Sequence, residues 1–561
     1  MTGPDVIFTL NRARFFIPTT IADPIATYTG AKLSASSDNT AWTDLVATVE
    51  NTAKNGWNEW RTLTPTTSRY VRFLHTSTSG CRLGELEVYG QLTSSTTVAD
   101  ITATTSSTIK FFDGRTSTTL TGVAQYASAT TPNVTEFSPR FISPKTTTNI
   151  TINGIGFGST VASVSVMIDG VSCSVLAVNN TQVNCTAQVR ANLPGTNSFQ
   201  LSVSQQVAAI ICPPILYADR WSSNDTWGAK LLPVDGSNIT VPRGMVLLVD
   251  RNTPRLAQIY VEGTLTFDDT VPSITLNAST IILNGGTLLA GSPQTPYPST
   301  INIVMQNAGI NDTFPPQLSK TILCNACKLR LYGIDKVSWA SLDARSAIAG
   351  ITTDSFVTSS AVNWSVGDEV VISTSFLDQS STERRIISAI NMTQKIINVT
   401  VPLQWPSRHI GNDATNLSVG NLTLSSQVGL LSRNIKIQGD STFWSSQVGA
   451  RIIVLGTTND GLDVKLSNVE LLNCGQTNNP RGYCLHFNMN GDMQNNLVRR
   501  LSVHDAVSRL LVLSGVSYLT IDNIVGFNHF GHGIALQNGA ETNNLIQNNL
   551  ILGTYPSYTN D

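Results

Sequence analysis

About the last hundred residues of the chain repeat. The runs LSNVELL, VRRLSVHD, LTIDNIVGFN and LIQNNLILG share one order of apolar and polar positions, the later copies about 22 to 25 residues apart. Runs this short cannot bury their apolar sides alone, so successive copies have to stack as rungs around a shared interior. The expected form is a parallel β-helix with Leu466, Val469, Val498, Leu501, Ile521 and Ile524 pointing inward. Asn468, Asn523 and Asn548 fall at matching places in their repeats, as side chains bonding one turn to the next would.

The rest of the chain is also β. Helical periodicity is nearly absent, and short β-branched runs cut by Gly, Pro, Asn and Asp recur throughout, so the class is all-β. A length of 561 residues exceeds one core and implies about four units. Charged residues make up 13%, against about 25% in an ordinary soluble domain, and the net charge is -2. Without a basic field, nucleic acid is not expected as a partner and anionic membrane surfaces are disfavoured. No apolar run is long enough for a transmembrane helix. The N-terminal stretch lacks a signal peptide's apolar segment and the last repeat breaks off, so a fragment of a longer protein is expected.

Thirteen Asn-X-Ser/Thr sequons, at Asn133, Asn149, Asn179, Asn184, Asn224, Asn238, Asn277, Asn311, Asn363, Asn391, Asn398, Asn416 and Asn421, point to a secretory compartment and N-glycosylation. Among the eight cysteines, Cys173 and Cys185 bracket two short strands, and Cys474 and Cys484 bracket the loop GQTNNPRGY. Both pairs can close local disulfides. Cys324 and Cys327 form a CxxC with no second ligand pair for zinc, and Cys81 and Cys212 have no local partner.

Several stretches resemble known families. AKLSASSDNTAWTDL and SRYVRFLHTSTSGCRLGELEVYGQL, within residues 1–92, resemble the second half of a discoidin-type (coagulation factor 5/8 C-type) jelly roll, with Trp42 and the ending Glu85 to Gly90 as the recognisable parts. Residues 93–131 are Thr/Ser-rich, a hairpin or linker. NVTEFSPRFISPKTTTNITINGIGFGS, VSVMIDGVSCSV and QVNCTAQV, within 132–211, resemble an immunoglobulin-like IPT/TIG domain, whose usual disulfide Cys173 and Cys185 would supply. VPRGMVLLVD, LAQIYVEGTLTF and STIILNGGTLLAGS, within 212–345, resemble the eight-glycine (G8) domain. WSVGDEVVISTSF, RGYCLHFNMNGD and FNHFGHGIALQNGAETNN, within 346–561, are similar to the right-handed β-helix shared by fibrocystin-like receptors and cell-surface hyaluronan-degrading proteins.

His486, His504, His529 and His532 crowd the last eighty or so residues together with Asp492, Asp505, Arg509 and Glu541, and adjacent rungs could bring them into one groove. A glycosidase would need two carboxyl groups, for which Asp492 or Asp505 with Glu541 is the pairing on offer. Metal-ligand spacing is lacking, so no cofactor is named, with calcium alone left open. The catalytic candidates are His486, Asp492, His504, Arg509, His532 and Glu541. The hyaluronan-degrading relatives usually carry His-x-His where this chain has His486-Phe487-Asn488, and Glu-Asp where it has Gln537-Asn538. An amide does no acid/base work at neutral pH. The resemblance, corrected for these departures, implies a non-enzymatic extracellular element, secreted or anchored at a plasma or ciliary membrane, that binds glycans or proteins. A calcium-assisted polysaccharide hydrolase and a structural cell-coat protein are the alternatives.

Overall fold

In the computed structural model, strands at 6–17, 32–36, 43–46, 56–60, 67–68, 70–74, 85–95, 106–112 and 117–125 are described by their backbone, as are residues 132–556 apart from 191–198, 205, 211, 213–214, 229–230, 307–317, 344–345, 347–353, 412–417, 420–421, 424 and 480. The chain divides into two compact units, Met1–Pro132 and Asn133–Asp561.

In the first unit, Val6–Ile17 pairs antiparallel with Gly56–Trp60, Thr67–Ser68 and Glu85–Ser95, and Lys32–Ser36 lies between Thr43–Val46 and Tyr70–Leu74. Ser106–Phe112 and Ser117–Gln125 form a hairpin in the Thr/Ser-rich stretch. Trp42 and Cys81 lie outside the described residues.

The second unit begins with an immunoglobulin-like sheet. Thr148–Ile155 pairs with both Asn133–Ser138 and Gln182–Ala187, and its side chains alternate so that Ile150 and Ile152 are buried. Cys173 and Cys185 are bridged beneath this sheet. The domain packs directly on the start of the solenoid. Arg140 donates to Asp269 at 2.7 Å, Arg190 donates to the Gly244 carbonyl at 3.2 Å, and Phe141 packs with Leu216, Val246 and Leu248.

From Asp219 the chain winds into a parallel β-helix with three faces. The first face stacks Val246–Val249, Thr264–Phe267, Thr287–Ala290, Lys328–Tyr332, Asp463–Ser467, Leu497–Arg499, Thr520–Asp522 and Leu545–Gln547. The second stacks Thr300–Met305, Ile435–Gly439, Val469–Cys474, Ser502–Ala506, Val525–Phe530 and Leu550–Tyr555. The third stacks Thr321–Asn325, Arg451–Leu455, Leu485–Asp492, Leu511–Ser517 and Ile534–Leu536. The long strand Ser273–Asn284 belongs to both of these, pairing with Thr300–Met305 through one half and Thr321–Asn325 through the other.

The glycine-rich stretch and the later repeats are therefore one solenoid, and the parallel stacking crosses the expected boundary at 345/346 without a break. Its glycines mark places where turns touch. A Cβ on Gly263 would meet the carbonyl oxygens of Pro242 and Met245, and one on Gly286 that of Val261. The six interior positions expected from the repeats are all buried, and Leu466, Val498, Ile521 and Ile546 lie in one register. Cys324 and Cys327, fully buried in this interior, are bridged, which leaves no thiolate there for zinc. Cys474 and Cys484 close the loop between the second and third faces. Cys212 is a free thiol.

The matching asparagines have a backbone cause. Asn468, Asn523 and Asn548 adopt φ of 54°, 59° and 55°, the left-handed conformation that Asn tolerates best among side-chain-bearing residues, and Arg500 is left-handed too, at 53°. Two of them also bond to other turns, Asn468 accepting from Lys336 N at 3.2 Å and Asn548 donating to Asp522 Oδ1 at 3.1 Å, and Asn434, Asn544 and Asn549 accept from the backbone N–H groups of Ile334, Leu519 and Ile524.

One crossover is expanded. Between Lys328–Tyr332 and Ile435–Gly439 the chain forms a six-stranded antiparallel sheet with its own core around Trp364, Val370, Ile372, Ile387 and Val428. This insert lies on the second face. Trp339 donates to the Asn548 carbonyl at 2.8 Å, and Val371 and Leu431 pack against Val525.

Candidate functional site

The histidines do not share a groove, because the turns place them on different faces. His486 lies on the third face and His504 and His529 on the second, while His532 is exposed on the turn between those faces.

On the third face, Asn488 and Ser514 are register partners, and Gln537 follows Leu536, the partner of Leu513. Parallel stacking thus aligns one polar position over three rungs. The Ser514 hydroxyl is 3.1 Å from His486 Nε2 and donates to Gln537 Oε1 at 3.2 Å, and Gln537 Nε2 donates to the Tyr483 hydroxyl at 3.2 Å. Tyr483 meets the His486 ring edge-on at 5.2 Å, and the Arg509 guanidinium lies 5.3 Å from the Tyr483 ring centre. Burial, aided by the positive charges of Arg481 and Arg451, pushes His486 down to about 4, so the imidazole is neutral at physiological pH.

Beside this row, Arg509 and His532 line a cleft of about 460 Å³ floored by Ile534, Ala535, Leu536 and Gln537. None of these lining residues is a carboxylate. Glu541 lies at the neighbouring turn, where Oε1 accepts from the backbone N–H groups of Gly515 and Asn538 at 2.9 and 3.2 Å. Burial raises its pKa, but these backbone donors outweigh it and the net shift is downward. Asn538 Oδ1 accepts from the same Gly515 N–H at 2.9 Å. Asp492 is exposed and accepts from Gln494 N at 3.1 Å. It pairs in register with Ser517, whose hydroxyl meets Thr542. The backbones of Asp492 and Glu541 are therefore two rungs apart, while the Glu541 carboxylate reaches back to Gly515 on the rung between them.

His504 belongs to a separate buried network beneath the insert. Its Nδ1 is 2.8 Å from Asp505 Oδ2 and its Nε2 3.3 Å from Glu470 Oε1. Arg384 of the insert donates to Asp505 Oδ2 at 2.7 Å, and Lys436 pairs with Glu470 at 3.2 Å. Burial favours neutral His504, yet the two carboxylates prevail and raise its pKa. Asp505 and Glu470 are likewise penalised by burial but end below the usual carboxylate range, through His504 with Arg384 and with Lys436 respectively. Each charge has an opposite partner, which is the arrangement of a structural clamp. His529 is buried against Thr554, at 3.2 Å, and burial lowers its pKa to about 4. A further buried pair, His409 and Glu383 at 2.8 Å, lies within the insert, where Glu383 also accepts from the backbone of Gln404 and Trp405.

Sequence reasoning missed Tyr483, Ser514, Arg384 and Glu470. Aligning the repeats would have found Ser514, midway between Asn488 and Gln537. Nothing local marks Arg384, 121 residues from its partner Asp505. Among the described residues no group of three or more His, Cys, Asp or Glu could hold a metal ion.

Comparison with known proteins agrees with this organisation. Residues 132–212 match the IPT/TIG domain, 226–343 the G8 domain and 447–561 the CEMIP beta-helix. The chain is similar to fibrocystin-L of Mus musculus, with 26% identity over 79% of this chain and 11% of that protein. It is also similar to fibrocystin of Canis lupus familiaris (25%, over 74% and 11%) and to communication mutant protein F of Dictyostelium discoideum (26%, over 60% and 30%). The chain thus spans about a tenth of the length of the fibrocystins it matches.

Proposed function

We propose that this chain is part of an extracellular, receptor-like protein whose β-helix binds glycan or protein ligands at its third face without cleaving them. The carrying observation is the row of His486, Ser514, Gln537 and Tyr483. It holds a neutral imidazole, two hydroxyls and an amide, and none of these can serve as the protonated acid of a glycosidase near pH 7. That chemistry needs two carboxyl groups about 5 to 9.5 Å apart with one kept protonated. Glu541, whose Oε1 accepts from the backbone N–H groups of Gly515 and Asn538, is held in its ionised form.

Among the described residues, three disulfides, and ten sequons of which none is buried, support an oxidising, glycosylating compartment. Similarity to the fibrocystins supports the receptor-like reading. The cleft supplies Arg509 and His532 above an apolar strand, a mixture suited to binding.

A glycan wedge tests the assignment. Leu536→Asn combined with Asn538→Thr writes a sequon across the cleft. The secreted wild-type chain should bind a subset of an extracellular glycan and protein array, and the wedge should weaken that binding tenfold or more with unchanged melting. Binding indifferent to the wedge would overturn the third face as the binding site.

A further inference from the structure

We infer that Asn277 and Asn363, whose amide nitrogens each hold a backbone carbonyl, are structural clamps that stay unglycosylated in the folded, secreted protein, while the sequons at Asn149, Asn179, Asn224 and Asn238, which lack such a bond, carry glycans. The inference rests on the extracellular reading and goes beyond it by assigning sites.

N-glycosylation bonds the amide Nδ2 to the anomeric carbon of a sugar delivered on a lipid pyrophosphate. The sugar–pyrophosphate bond breaks and Nδ2 loses one proton. The bulky product must find space beside Nδ2, and the side chain keeps one amide hydrogen. Residues whose amide nitrogen faces solvent accept this change freely.

Asn277 does not have that freedom. It lies mid-strand in Ser273–Asn284 with a paired strand on each side, Arg255 opposite on one and Val304 on the other. Its Nδ2 donates to the Thr253 carbonyl at 2.9 Å, and its Oδ1 accepts from Gln306 Nε2 at 2.9 Å. One carboxamide therefore ties together the turns before and after it. Asn363, although exposed, is tied in a similar way at the root of the insert. Its Oδ1 accepts from Val337 N at 2.7 Å and its Nδ2 donates to the Asp335 carbonyl at 2.8 Å. In both clamps Nδ2 holds a backbone carbonyl of a distant segment, which cannot swing aside as a side chain would.

The other class is different in kind. Asn149 bonds through its oxygen, accepting from Thr186 Oγ1, and Asn179 through its oxygen, accepting from Thr181. Asn224 and Asn238 are exposed beside turns. Beyond Asn421 the sequence has no sequon through residue 561, although Asn recurs through the later rungs, so the third-face cleft lies in a stretch without N-glycan acceptors.

The test is glycopeptide mass spectrometry of the full chain secreted from eukaryotic cells, paired with melting of alanine variants. Expected are occupancy above about half at Asn149, Asn179, Asn224 and Asn238 and below about a tenth at Asn277 and Asn363. Asn277→Ala should leave the glycan mass unchanged and lower Tm by about 2 to 4 °C, the loss of one part-buried polar clamp. Asn224→Ala should remove one glycan without that shift. Occupied Asn277 in natively melting protein, or Asn277→Ala melting as wild type, would overturn the clamp assignment. Absence of glycan at every site would instead overturn the extracellular reading on which it stands.

Discussion

Acidification should weaken the β-helix through two buried histidines, and the size of the effect can be worked out. His486 and His529 are 3% and 0% exposed, and both are lowered from 6.5 to about 4. A depressed histidine stabilises nothing by charging. The unfolded chain takes up a proton below about 6.5 and the folded chain does not until about 4, so stability falls as pH drops through that interval. Between pH 7 and pH 5 the linkage relation gives a loss of about 2 kcal/mol for each histidine, or about 4 kcal/mol together. His504 opposes this in part, because its raised folded pKa gives a contribution that still grows as pH falls from 7 and is complete only below the unfolded value, but it is common to wild type and the double variant and cancels in their comparison. Urea unfolding of wild type and of His486→Gln with His529→Gln, at both pH values, isolates the effect. The wild-type midpoint should drop on acidification well beyond that of the variant. Equal drops would refute the assignment of both rings as buried and neutral.

Other consequences rest on single contacts. Leu466→Ala empties a fully stacked interior position and should cost about 2 to 5 kcal/mol by denaturant unfolding. Arg500 is left-handed at φ 53°, so Arg500→Asn, which installs a residue better suited to that conformation, should melt no lower than wild type despite losing the Asp335 contact. Arg384→Met strips Asp505 of its partner from the insert, and hydrogen exchange should rise selectively on the strands of the insert that lie against the second face, with the first face unaffected.

How far the fold can be read from the residues depends on how local the cause is. Interior positions such as Val498 and Ile521 are legible because stacking imposes one pattern on every turn. The glycines at 263 and 286 are legible for the same reason, since each turn passes close to the last. The insert is not, because Val370 to Ile372 is a short apolar run and Ile396 to Val399 an ordinary alternating one, and nothing local separates antiparallel from parallel pairing. The site suffers most. Turns of unequal length send His486 and His504 to different faces, although both sit in apolar runs of the same kind. The amides at Gln537 and Asn538, in contrast, are visible at once, and in the fold they occupy hydrogen-bonded positions around Ser514 and Gly515.

The central claim is that the third face binds without cutting. Its most direct test is the chain length of fluorescent glycosaminoglycans, read by size-exclusion chromatography after prolonged incubation with the secreted protein, with and without calcium. Polymers of unchanged length are expected in both conditions. Shortened polymer with wild type, and intact polymer with Glu541→Ala, would contradict it.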